Sequence, residues 1–215
     1  MIKDLMYKEL RLNVNPWMYT WLAMALLLFI PSWVFFFAIG YIFMFFMLLG
    51  QQDKANQDLA FAMSLPIPKS GIVTARTYTI IIVEIAALLV AAPVAILRYW
   101  IYPFNNAAGM NTNLAFFGFM LMMYAVFNII FLPGSYKRAY RLLWPILGGS
   151  VISVLFAGTV TSLVAILPSL AFLNDRGLGN LGAQMIVFLI GLGTYAVLTW
   201  LAHRQAVANF AEVDL

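Results

Sequence analysis

Glu84 is the residue of this sequence whose type and position most suggest chemistry. It lies in Ile80-Ile81-Ile82-Val83-Glu84-Ile85-Ala86, an apolar run with no other charge. An acid at the centre of a lipid-embedded helix costs about 2.5–3.5 kcal/mol on insertion scales. Two uses fit such a cost: a polar point on a transport path, or a lock between helices. Two plainer readings stand beside them, in which the carboxyl snorkels to an interface or carries a proton. Arg76 is about 12 Å away along a helix, too far for a direct pair unless another helix contributes. The other materials of catalysis are scarce. There is no cysteine, so disulfides, thiolate metal sites and cysteine nucleophiles are excluded. His203 is the single histidine, which leaves multi-histidine zinc sites and Ser-His-Asp chemistry almost nothing to use. No G-x-S-x-G occurs, and no paired carboxylates fall within apolar runs, so an intramembrane enzyme lacks its parts. No G-x-x-x-x-G-K-[ST] occurs either, so the chain has no P-loop with which to bind ATP.

The elements that must position these residues are set by composition. Of 215 residues, 64% are hydrophobic and 9% charged. A soluble domain is about half apolar and about a quarter charged. This composition excludes an ordinary soluble enzyme, a disordered chain and a nucleic-acid-binding domain, and points to an integral membrane protein. The net charge of +4 fits the Lys and Arg excess of cytoplasmic loops.

A spanning helix needs about 20 mostly apolar residues. Six stretches qualify as candidates, over about 16–30, 33–50, 72–97, 114–132, 144–173 and 181–202. They are too long for the strands of a membrane barrel, and they do not alternate. The expected fold is therefore an all-α integral membrane protein of six transmembrane helices, forming one transmembrane domain over 1–215. Only Pro31 and Ser32 separate the first two spans, which predicts a tight helical hairpin whose short first arm leans on Trp17, Tyr19 and Trp21 as interfacial anchors. Ten of the twelve basic residues, Arg138 among them, fall on one side of this layout, and only Arg98 and Arg176 on the other. The positive-inside rule then puts both termini in the cytoplasm. No small-residue cleavage site follows the first apolar run, so it reads as an uncleaved span rather than a signal peptide.

Two polar segments remain. Met1 to Leu12 places Ile2, Leu5, Met6 and Leu10 on one helical face and Lys3, Asp4, Lys8 and Arg11 on the other. This predicts an amphipathic interfacial helix within 1–15 rather than a loose basic tail. Gln51 to Arg76 is the most polar part of the chain. Here a short helix is expected over Asp53 to Leu65, with Leu59, Ala62 and Met63 on one side. Pro66 and Pro68 end it, and Ser70 serves as N-cap of the third span. The alternative is a solvated loop that merely joins two spans.

The string Asp58-Leu59-Ala60-Phe61-Ala62-Met63-Ser64-Leu65-Pro66-Ile67-Pro68-Lys69-Ser70-Gly71-Ile72-Val73 resembles the cytoplasmic segment of small ABC-2-type permeases, where a "SLPI…K/R…I" stretch lies between the second and third spans. Met1-Ile2-Lys3-Asp4-Leu5 with Lys8-Glu9 resembles the opening of such permeases, and length and layout match over the whole chain. Within the family the chain is most similar to membrane subunits that export amphipathic peptides, such as that of the staphylococcal phenol-soluble modulin exporter. The resemblance implies a permease subunit of an ATP-driven exporter in the bacterial cytoplasmic (inner) membrane. ATP and Mg would sit on separate ABC ATPase subunits, with no cofactor in this chain. A second permease copy, identical or not, would complete a path for amphipathic peptide cargo. It also implies a coupling helix over 51–71, whose ATPase contacts would fall on Asp58, Leu59, Phe61, Leu65, Pro66 and Lys69.

The fifth span carries small residues at every fourth position: Gly149, Ser153, Ala157, Thr161, Ala165 and Ser169. Residues four apart share a helical face, and small faces permit close approach in lipid. The expectation is internal packing against the sixth span, which offers Gly182, Gly191 and Gly193; contact between two permease copies is the alternative. Pro93 and Pro168 are expected to bend their helices. The connections around 105–113 and 174–180 are too small to form an external domain. Other function classes remain beside the permease: an ion-coupled transporter, which usually needs more buried charges or repeats, and a membrane scaffold or immunity protein.

Overall fold

A computed structural model describes residues 2–137 and 141–213. Met1 of the opening motif and Arg138 of the basic group lie outside the described residues. Among these residues there is helix and no strand. The helices are α1 (Ile2–Lys8), α2 (Phe35–Gly40), α3 (Ile42–Ala55), α4 (Asp58–Ser64), α5 (Lys69–Ile101), α6 (Leu114–Lys137), α7 (Leu143–Ile166) and α8 (Leu181–Ala211).

Among the described residues, five spans are long and apolar enough to cross a membrane: α2 with α3, then α5, α6, α7 and α8. The first expected span is a 14-residue 3₁₀ helix, Pro16–Phe29. Asn15 caps it, its side chain accepting from the Trp17 N–H at 3.1 Å, and Pro16 supplies a preset first turn. At about 2.0 Å per residue its reach is about 28 Å, against about 21 Å for the same residues as an α-helix. The tighter winding thus lengthens a segment that is short by count. Ser32 adopts φ 57, and the chain turns there into α2.

The core lies along α6. This helix packs most extensively against α8, and also against α7. Gly118 and Gly191 make the first contact close: a Cβ on Gly191 would meet the Gly118 carbonyl oxygen at 2.2 Å. Toward α3 the core is aromatic. Phe43 stacks on Phe127 with centroids 4.1 Å apart, and Phe46 and Phe131 continue the stack. Such offset stacks add to the burial of large rings.

Three expectations need correction. The fifth span does not run on to Leu173; α7 ends at Ile166, and Pro168 opens a separate 3₁₀ segment, Pro168–Asn174. Proline lacks the N–H that would continue the ladder. Pro93, by contrast, sits inside an uninterrupted α5. Ser70 is not the N-cap of α5: Pro68 holds that place with extended backbone, and the helix begins at Lys69. Finally, 53–65 is not one helix. Asp53 remains in α3, the chain breaks at Gln57 with φ 50, and α4 starts at Asp58.

Candidate functional site

The chain gathers its polar residues into two end clusters and one midway station. At one end, Arg76 of α5 reaches two acids. Its guanidinium bonds both oxygens of Asp53, at 2.5 and 2.9 Å, and lies 2.8 Å from Glu9. Asn13 donates to Asp53 at 3.2 Å. The bidentate pairing suits the planar fork of arginine. Burial lifts the Glu9 carboxyl above its ordinary range, and the Arg76 charge opposes that lift. A π-helical turn, Glu9–Asn13, brings Glu9 and Asn13 inward. The N-terminal segment is therefore more than a helix with a polar outer face. Lys8, expected on the outer polar side, turns to Asp58 at 2.6 Å.

These contacts hold α4 beside the ends of α3 and α5. Asp58 and Ala62 are buried, Leu59 and Met63 half-buried against the core, and Phe61 is 57% exposed. Lys8 Nζ lies 5.7 Å from the Phe61 ring centre. Leu65 is half-buried and Pro66 exposed. Lys69 donates to the Val213 carbonyl at 2.7 Å and that of Ala211 at 3.4 Å, tying the start of α5 to the end of α8. Of the six residues expected at the coupling face, Phe61 and Pro66 point outward, whereas Asp58 and Leu59 support the helix from within.

Midway along α5, Glu84 is 0% exposed. Tyr195 of α8 donates to its Oε2 at 2.7 Å, and Asn128 of α6 donates to the same atom at 3.0 Å. Asn128 also donates to Thr199 of α8 at 3.2 Å. The carboxyl therefore does not snorkel; it joins three helices. His203 lies 3.1 Å from Thr77 and links α8 to α5 about two turns nearer Arg76. Sequence reading identified Glu84 but missed Asn128, Tyr195 and Thr199. Their signal was only that each is polar within an apolar span.

The small-residue face of α7 packs on α6 rather than on α8. A Cβ on Gly149 would meet the Phe127 ring at 2.9 Å, Ser153 donates to the Met123 carbonyl at 3.4 Å, and Ala157 is buried. Thr161 lies against Gly109 of the loop, while Ala165 and Ser169 are exposed. Of the glycines expected opposite this face, Gly191 packs on Gly118 of α6, and Gly182 and Gly193 have open space beside them.

At the far end, asparagines stitch the two loops. Asn111 donates twice to Asn174, its backbone N–H to the side-chain oxygen and its side-chain amide to the carbonyl, at 2.7 Å each, and Asn113 donates to the carbonyls of Leu173 and Asp175. Asn106 donates to the Trp33 carbonyl at 2.9 Å, anchoring the turn before α2 at this end. Bonds from the Gly177 N–H and from Asn180 hold the Asp175 carboxyl below its usual range.

No curated protein and no solved structure gives a significant match. The model of the ABC-2 family transporter protein matches residues 2–206, nearly the whole chain. With five apolar spans and polar clusters at their ends, this chain belongs to the ABC-2 transporter family, as a multi-pass membrane permease subunit of an ABC transporter that works with an ABC ATPase.

Proposed function

We propose that this chain is the membrane subunit of an ABC exporter that moves amphipathic or hydrophobic peptides out of the cell. Two permease copies form the path, and separate subunits bind ATP and Mg. Six helices cross the bacterial cytoplasmic membrane, Pro16–Phe29 included, and the end bearing Arg76 and both chain termini faces the cytoplasm. The observation that carries this reading is α4. A seven-residue helix is braced from within by the Lys8–Asp58 pair and by half-buried Leu59, and it offers Phe61 outward. A connector alone needs no such bracing. The coupling role of α4 falls on this exposed ring, with Leu65, Pro66 and Lys69 at its margin. Peptide cargo rests on the resemblance of the Asp58–Val73 string.

The test is co-purification with the cognate ATPase. Phe61→Asp is expected to reduce ATPase recovery about tenfold or more, in line with loss of a buried aromatic anchor, while the permease is still made and folded. Unchanged recovery in Phe61→Asp would remove α4 as the coupling element. Export of a labelled amphipathic peptide from cells then tests the cargo separately.

A further inference from the structure

A groove of about 690 Å³ runs between α5, α6 and α8. Leu88, Leu89, Ala92, Leu121, Phe188 and Leu192 give it apolar walls. It opens sideways, where Leu89 is 68% exposed. Toward the end opposite Arg76 its character changes. Tyr99, Asn113 and Arg176 belong both to this groove and to an adjoining cavity of about 160 Å³, which Arg98 and Gln184 also line.

Arg98 is 2% exposed, and its Nε and Nη2 atoms are buried without a hydrogen-bond partner among the described residues. Its guanidinium lies 4.7 Å from the Phe35 ring centre and 5.5 Å from that of Tyr102. Ring contacts offset only part of the cost of burying a cation. Arg176 is held in place by the carbonyls of Phe104 and Tyr99 and by the Tyr99 ring. Asp175, the acid at this end, is bound to Gly177 and Asn180, and among the described residues it forms no ion pair with either arginine. A buried guanidinium with idle donors, beside a second guanidinium, lacks an anion.

We infer that the groove and its end cavity bind an anionic phospholipid. The phosphate occupies the cavity at Arg98, with Arg176 beside it, and an acyl chain lies along the apolar wall. Charge complementarity selects the headgroup, and the sideways opening admits a molecule already in the bilayer. A free anion would leave the apolar wall uncovered, and a zwitterionic lipid would carry no net charge to match the arginines.

Native mass spectrometry of the purified full chain tests this against three probes: phosphatidylglycerol, phosphatidylcholine with the same acyl chains, and inorganic phosphate. Phosphatidylglycerol is expected to be retained about tenfold more than phosphatidylcholine, the scale of one charge-assisted contact. Phosphate alone is expected not to be retained. Arg98→Gln should abolish the preference. Should that variant fail to fold, Arg176→Gln at the half-exposed cation and Ala92→Phe in the groove decide, and each should weaken phosphatidylglycerol retention severalfold. Equal retention of the two lipids, or undiminished retention in both of these variants, overturns the proposal. Retention of phosphate equal to that of phosphatidylglycerol also overturns it, leaving an anion site without a lipid. Because the chain has no cysteine, Leu89→Cys reports cleanly on the groove. Disulfide-linked dimers through it would assign the groove to a second copy, and the lipid would be displaced from the account.

Discussion

Glu84 presents one oxygen to two neutral donors from two different helices. Glu84→Ala leaves the Tyr195 hydroxyl and an Asn128 N–H buried without that acceptor, and each orphaned group costs about 1–3 kcal/mol. The variant is expected to lower the melting midpoint of the purified subunit and the yield of the assembled transporter. Glu84→Gln keeps an acceptor in place and is expected to lose less. Equal melting of wild type and Glu84→Ala would dismiss the lock. The sequence made Glu84 conspicuous, because a lone acid in an apolar run stands out. Its partners were illegible for a physical reason: Asn128 and Tyr195 are 44 and 111 residues away, and their meeting depends on how each helix is rotated about its axis. Arg76 teaches the same lesson. Counted along the chain it is one more positive charge near a span, yet in the fold it sits between Asp53 and Glu9.

Helices were readable where length and hydropathy decide; what packs against their small-residue faces was not. The α7 stripe was visible as a pattern, but a pattern names a face without naming what lies across it. Gly118, which sequence reading passed over, is the more constrained position. A Cβ there would meet Val187 O at 2.7 Å and Phe188 Cα at 2.8 Å, both backbone atoms that cannot step aside. Gly118→Val is therefore expected to cost at least about 1–3 kcal/mol by overpacking and to deplete folded protein in a fluorescence-detected size-exclusion assay. Gly193→Ala has open space and should match or exceed wild type, since alanine favours helix by about 1 kcal/mol over glycine. The reverse order of these two variants would refute the α6–α8 contact. Helix boundaries were the least legible part around Gln57, whose left-handed backbone divides α3 from α4.

The whole molecule has two polar ends. Glu9, Asp53 and Arg76 meet at one of them, and Lys69 ties the C-terminal end of α8 to it. Asn106, Asn111 and Asn174 meet at the other, where Trp33 also lies. Reporters fused to either chain terminus are thus expected to read the same compartment, and one inserted at Gly179 the opposite compartment. Termini that report opposite sides would contradict the arrangement. α5 carries Arg76 near its start, Glu84 in the middle and Arg98 near its end. Arg76 and Arg98 stand about 33 Å apart along that helix. A continuous helix carries tilt from one station to the next, so these three are mechanically in series. The rod has one missing rung, at Pro93. Arg76 and Glu84 lie on the same side of that weak point, so a push at the braced α4 would move them in phase, and any lag would appear at Arg98.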